Sequence, residues 1–375
     1  MPKPMYPIHN KPFLHYLIEH LKEVGFQKVL LLLGYMPNPI IDYFGDGSDY
    51  GINIDYAISD TESETGRRLQ SAASKIDPYF LLMYCDNYWP IRVKEMIEAY
   101  NETDADIQLT VYTNKDNYTK NNLQFDNQRN IVVYDKSRLC QGLNGVDIGF
   151  AIVNKSSLEL LSQKNDSFEA VVYPTLTEQG RMSAFTTDHR YYSIGSFERI
   201  ELTNAFFERK AAILLDRDGV LNKKAPRGEY ICNWNEFEWI PGAKEAIKLL
   251  KRGGYRIIII SNQAGIARGM MAESDLNDIH NRMSDDIEGV SKPFDAIYYC
   301  PHHWNEQCEC RKPNAGSFFM AQRNFHLDLS RIYYIGDDPR DQEAAANAGC
   351  LYFHVDENHS LLSYVKKEMI PLVSS

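Results

Sequence analysis

Asp216 and Asp218 stand two residues apart in Asp216-Arg-Asp218-Gly-Val-Leu-Asn222, directly after the apolar run Ala211-Ala-Ile-Leu-Leu215. Carboxylates so placed can divide a phosphoryl transfer between them. One attacks phosphorus while the other protonates the leaving alkoxide and then activates water. Two anions facing a phosphate dianion repel it, so this chemistry requires a cation, and hard, oxygen-seeking Mg²⁺ suits it. The plainer alternative is an Asp-rich turn that only caps the next segment.

Three further clusters weigh against that alternative. Ser261-Asn-Gln-Ala-Gly-Ile-Ala-Arg-Gly269 offers a small hydroxyl and backbone amides for phosphate oxygens, with Asn262, Gln263 and Arg268 as candidate substrate contacts. Arg311-Lys312-Pro313 supplies cations for the transferring group, and Gly336-Asp337-Asp338-Pro-Arg-Asp341 supplies a further metal carboxylate, Asp337. A second metal signal lies in Cys300-Pro-His302-His303 followed by Cys308-Glu-Cys310. The spacing Cys-x-His-x5-Cys-x-Cys provides three thiolates and one imidazole, the ligand set of a closed tetrahedral Zn²⁺ site. Such a site would pin the loop that delivers Arg311 and Lys312, leaving His303 as the spare histidine.

These clusters need strands to end where they begin. Ala211–Leu215, Arg256–Ile260, Ala296–Tyr299 and Arg331–Ile335 have contiguous apolar residues, which predicts buried strands. Open α/β sheets bind ligands at the carboxyl ends of such strands. In the first half, strands are expected at Lys28–Leu33, Asn53–Ala57, Tyr79–Tyr84, Ile107–Tyr112 and Gly149–Val153, with helices over Pro12–Val24 and Arg92–Tyr100. Both halves show the alternation of a parallel sheet with crossover helices, so the class is α/β in two domains, 1–207 and 208–375. A chain of 375 residues is too long for one core.

The balance of 40 basic and 51 acidic side chains, a net charge of −11, argues against nucleic acid as a partner. No apolar run is long enough for a membrane span, and seven cysteines in a chain of this size do not form a disulfide framework, so a cytoplasmic setting is expected.

Residues 211–350 resemble the haloacid dehalogenase superfamily of phosphatases. The resemblance implies Asp216 as the nucleophile that becomes an aspartyl-phosphate, Asp218 as general acid/base, Ser261 as the phosphate-binding hydroxyl and Lys312 as the third motif's cation. It also implies Mg²⁺ held by the side chains of Asp216 and Asp337 and the backbone carbonyl of Asp218, with Asp338 or Asp341 in support. The Zn²⁺ loop with Ser-Asn-Gln-Ala-Gly-Ile-Ala-Arg-Gly and Cys-Arg-Lys-Pro is similar to the heptose 1,7-bisphosphate phosphatases and to the histidinol-phosphate phosphatases, which lack a large cap domain. A small-molecule sugar phosphate is therefore the expected substrate, with Asp338, where the heptose enzymes often carry Lys, as a departure.

The first half carries a different resemblance. Pro2-Lys-Pro-Met-Tyr-Pro-Ile-His-Asn-Lys-Pro-Phe-Leu14, Thr65-Gly-Arg-Arg-Leu69, Leu82-Met-Tyr-Cys-Asp86 and Tyr192-Ser-Ile-Gly-Ser-Phe-Glu-Arg199 resemble sugar-1-phosphate nucleotidyltransferases. The resemblance implies an NTP as a further partner and Lys3 and Asp86 as surviving functional residues. Ser193 stands where a second metal carboxylate belongs, and Arg67 where a glycine often admits the base. The Gly-rich loop that would wrap a triphosphate, and its supporting strand, would precede Met1. Two expectations compete: a start that falls short of an intact transferase, or a domain reduced to a scaffold or oligomerisation module. The Pro-Lys-Pro after Met1 favours the first and Ser193 the second.

Overall fold

The computed structural model describes residues 1–226 and 228–369. The chain forms two compact units that divide between Phe207 and Glu208.

In the first unit the main strands are β1 (Lys28–Leu33), β2 (Asn53–Ile58), β3 (Tyr79–Met83), β4 (Ile107–Tyr112), β5 (Val146–Asn154) and β6 (Met182–Thr187). Helices α1 (Phe13–Glu23), α2 (Val93–Asn101), α3 (Phe168–Glu178) and α4 (Phe197–Phe207) accompany them. The expectation of a parallel sheet needs correcting here. The larger sheet runs β6-β4-β5-β3 and is mixed: β6 lies parallel to β4, whereas β5 is antiparallel to both of its neighbours. The chain between β4 and β5 is an excursion containing an antiparallel pair rather than a crossover helix, so β5 returns in the opposite sense.

Strands β1 and β2 form a separate parallel pair. Val29 and Leu31 of β1 and Leu81 and Met83 of β3 pack on one apolar cluster, while Leu32, Phe80 and Leu82 pack on the other. The two strands thus share both layers, yet among the described residues no ladder joins them and each pairs along one side only.

The second unit is a five-stranded parallel sheet of β7 (Ala212–Leu215), β8 (Arg256–Asn262), β9 (Ala296–Cys300), β10 (Tyr333–Gly336) and β11 (Leu351–His354), in the order β9-β8-β7-β10-β11. Side chains alternate across it, as the strand period requires. Ile213, Leu215, Ile257, Ile259 and Ile335 face one layer with α5 (Ala243–Arg252) and α6 (Glu273–Asp285). Leu214, Ile258, Ile260 and Tyr334 face the other with α7 (Gly316–Phe325) and α8 (Pro339–Ala348). Coverage of both faces explains the unbroken apolar runs of β7 and β8.

Two expectations fail in detail. β9 is an outer strand whose first four residues are only partly covered, and Arg331 closes a short 3-10 turn ahead of β10. β11, only four residues long, was not expected from the sequence. Among the described residues, no helix is long and apolar enough to cross a membrane.

Helix α6 buries Leu276, Ile279, His280 and Met283, an i, i+3, i+4, i+7 stripe with a histidine in it. Burial, aided by the nearby Arg217 guanidinium, pushes His280 down to about 3. An unfolded chain protonates this histidine near pH 6.5, before the fold does, so stability should fall as pH drops from about 6.5 towards 3. His280→Gln should flatten that decline, read as the shift in urea midpoint between pH 7 and pH 5. A midpoint shift equal to that of the parent chain would overturn the assignment.

Candidate active site

Strand register brings three of the four clusters together. Leu215 pairs with Ile259 on one side and Ile335 on the other, so Asp216, Ser261 and Asp337 all emerge at the carboxyl ends of adjacent strands. Central strand β7 is also the point where the chain, after adding β8 and β9 on one side, turns to add β10 and β11 on the other. A crevice at such a switch point follows from topology.

Asp216 is 7% exposed. Its Oδ1 accepts from the Arg217 backbone N–H at 2.8 Å and lies 2.9 Å from Lys312 Nζ. Burial pushes its carboxyl up to about 7 against the opposing pull of Lys312. Lys312 is itself 3% exposed and also reaches Asp341 Oδ1 at 2.7 Å and the Tyr334 hydroxyl at 2.7 Å. An ammonium this deep keeps its proton only because carboxylates surround it.

Asp218 has a different environment. Its two oxygens accept from Arg217 Nη2, both at 2.9 Å, from Asn222 Nδ2 at 2.9 Å and from Gln263 Nε2 at 2.8 Å. Burial alone would raise it, but the Arg217 guanidinium and these donors hold it below the ordinary carboxylate range. Arg217 is fully buried, and its Nη1 lies 3.5 Å from His280 Nε2. The two aspartates therefore have pKa values pushed apart by their surroundings, Asp216 upward and Asp218 downward.

Gln263 Nε2 also donates to Ser261 Oγ at 2.7 Å, and Asn262 exchanges hydrogen bonds with the Lys312 backbone, Nδ2 to its carbonyl at 3.1 Å and Oδ1 from its N–H at 3.0 Å. Both amides, expected as substrate contacts, serve as braces in the structure.

A hard divalent cation fits beside Asp216. One carboxylate oxygen each from Asp216, Asp337 and Asp341 lie within 4.8 Å of one another, and Asp337 Oδ1 is buried without a hydrogen-bond partner. Oxygens in one Mg²⁺ shell are roughly 3–4 Å apart. Asp341 is nearly saturated, however, since Oδ2 accepts the backbone N–H groups of Asp337 and Asp338 at 3.1 Å each. Gly219, at φ +96°, makes room for this cluster: a Cβ there would lie 2.1 Å from Asp337 Oδ2.

The cysteine ligand set also converges. Cys300 Sγ lies 3.5 Å from Cys308 Sγ and 3.6 Å from His302 Nδ1, which is 3.2 Å from Cys310 Sγ, and Cys308 and Cys310 are 3.6 Å apart. Tetrahedral Zn²⁺ with bonds of about 2.3 Å to sulfur sets ligand edges of roughly 3.8 Å, so the four atoms enclose a zinc-sized hole. His303 instead packs at a tilt against Trp304, with centroids 3.8 Å apart.

A cleft of about 910 Å³ opens over Asp216, Asp218, Ser261 and Lys312. Arg311 lines it, with a buried Nη1 that has no hydrogen-bond partner, as does Arg268, whose Nη1 donates to the Gly228 carbonyl at 2.8 Å. Among the lining residues to which sequence reasoning gave no role are Lys224, Tyr230, Trp304 and Arg340. The Lys223-Lys224 doublet directly after Asn222 was the available signal for the first. Lys224 Nζ contacts Asp337 Oδ2 at 2.5 Å, and Arg340 pairs with both oxygens of Asp338 at 2.9 Å.

In the first unit Lys3 Nζ meets Asp86 Oδ2 at 2.7 Å just past β3. Ser193 pairs with Asn87, next to Asp86. Arg67 lies exposed on the turn of helix Thr65–Ser71 and lines another cleft with Lys155.

Comparison with known proteins agrees with both halves. Residues 212–358 match the family model "Polynucleotide kinase 3 phosphatase" and residues 1–122 match "Nucleotidyl transferase". The chain is 34% identical over 171 residues to the D-glycero-beta-D-manno-heptose-1,7-bisphosphate 7-phosphatase of Rhodopseudomonas palustris, covering 44% of this chain and 93% of that protein. Against the enzyme of the same name from Vibrio cholerae, identity is 37% over 147 residues, 37% of this chain and 77% of that one. Among solved structures, the D,D-heptose 1,7-bisphosphate phosphatase of B. bronchiseptica, complexed with magnesium and phosphate, is 29% identical with a TM-score of 0.40, covering 43% of this chain and 99% of that one. HddC from Yersinia pseudotuberculosis is 27% identical with a TM-score of 0.48, covering 55% of this chain and 90% of that one. The chain thus belongs, through its second unit, to the haloacid dehalogenase-type family of the heptose bisphosphate phosphatases, as a phosphoric monoester hydrolase preceded by a nucleotidyltransferase domain.

Proposed function

We propose that the second unit hydrolyses a sugar phosphate through an aspartyl-phosphate, with the C7 phosphate of a heptose 1,7-bisphosphate as its target. The observation that carries this reading is the buried Asp216 carboxylate held by Lys312, beside an Asp218 oriented by Arg217, Asn222 and Gln263. The names of the relatives support the choice of sugar.

In this reading Asp216 attacks phosphorus as the bond from phosphorus to the ester oxygen breaks. Asp218, ionised in the substrate-free site, takes up a proton as the phosphate dianion enters beside it, gives that proton to the ester oxygen, then takes one from the water that cleaves the acyl phosphate, which restores Asp216 and releases inorganic phosphate. Ser261, Lys312 and Arg311 hold the phosphoryl oxygens, and the unpartnered Arg311 Nη1 supports that role. Mg²⁺ held by Asp216, Asp337 and the Asp218 carbonyl would neutralise phosphoryl charge when bound. Cys300, His302, Cys308 and Cys310 would hold Zn²⁺ and so position Arg311 and Lys312.

Product chemistry links the two units. Loss of the C7 phosphate leaves a sugar 1-phosphate, the substrate class of a nucleotidyltransferase. The Lys3–Asp86 pair at the end of β3 supports a second, nucleotidyl-transferring activity, slowed by a serine in place of the second carboxylate.

Asp216→Asn should abolish release of inorganic phosphate from heptose 1,7-bisphosphate while leaving circular dichroism and zinc content unchanged; retained turnover would end the nucleophile assignment. A panel of sugar mono- and bisphosphates beside histidinol phosphate tests the substrate, and preference for histidinol phosphate would overturn the sugar reading. Cys308→Ser should lose zinc and raise KM more than it lowers kcat, and unchanged metal content would sink the zinc site. With NTP, Mg²⁺ and a sugar 1-phosphate, pyrophosphate should form slowly and disappear in Asp86→Asn; equal release by the variant would overturn the second activity.

A further inference from the structure

Two lysines approach the carboxylates of the cleft, and they are held very differently. Lys312 is 3% exposed and locked against Asp216, Asp341 and the Tyr334 hydroxyl. Lys224 is 41% exposed at its side chain, on the irregular segment between Asn222 and Pro226, with Nζ 2.5 Å from Asp337 Oδ2 and 4.0 Å from Asp338 Oδ2. Asp338 has a second cation in Arg340, bound through both oxygens. Asp337 has an unpartnered buried oxygen on its other side. A divalent ion on Asp337 would sit within a few ångströms of the Lys224 ammonium, and the repulsion at that separation exceeds what a half-exposed side chain gains by staying.

We propose that Lys224 is an exchangeable counter-ion. It neutralises Asp337 while no divalent ion is bound, and when Mg²⁺ takes that carboxylate the ammonium turns into the cleft it lines and pairs with the phosphate anion. Metal and anion binding are then linked through one side chain, each favouring the other. The inference rests on the metal reading given above.

Calorimetric titration of the full chain tests it, with MgCl₂ alone and then with inorganic phosphate at saturating Mg²⁺. Lys224→Met should bind Mg²⁺ roughly tenfold more tightly, because a competing charge is gone, and phosphate roughly fivefold more weakly, because a charge-assisted contact is lost. Lys224→Arg should return both affinities towards those of the parent chain. Lys223→Met removes the same charge from the neighbouring residue, which pairs with Glu238, and should leave both affinities unchanged. Lys224→Gln repeats the comparison if the methionine variant folds poorly. Equal shifts in the Lys223 and Lys224 variants, or either affinity unmoved by Lys224→Met, would overturn the proposal. A parent chain that takes no Mg²⁺ would instead overturn the metal reading itself.

Discussion

Negative charge gathered where strands end is the constraint that organises the second unit. Asp216, Asp218, Asp337, Asp338 and Asp341 share one crevice, and each finds a cation or backbone donor: Lys312, Arg217, Lys224, Arg340 and the N–H groups that open α8. Without these partners, burial of so many carboxylates would cost several kcal/mol apiece. The loops have little freedom to be otherwise arranged, since each supplies either an anion or what neutralises it.

The same crowding explains the roles of the neutral polar groups. Asn262 and Gln263 carry no charge, yet they join two strand ends and the loop before α7 into one piece by bonding Asp218, Ser261 and Lys312. The three thiols and one imidazole converge just ahead of this loop, since Cys310 directly precedes Arg311 and Lys312. Rigidity in this site comes from polar cross-links between loops, over a sheet whose two faces are closed by ordinary apolar packing.

Much of this was legible in the sequence, for a physical reason. Strands buried on both faces need contiguous apolar residues, so β7, β8 and β10 announce themselves and the polar residue ending each is easy to name. Close ligand spacing made the cysteine loop equally visible. What stayed hidden depends on neighbours distant in sequence. Arg217 reads as a surface cation between two aspartates and is fully buried. Lys224 looks like half of a solvated doublet. The reversed direction of β5 follows from how an excursion returns, which periodicity does not encode.

Gly219 gives the crevice one of its dimensions. The nearest oxygen of Asp337 stands where any side chain at that position would place its first carbon, so two segments distant in the chain are adjusted to each other at van der Waals range. Even alanine there would displace a carboxylate contributed by another strand. Variation in this loop is therefore bounded from across the sheet, and the room left for the Asp337 carboxylate is set by an atom that glycine omits.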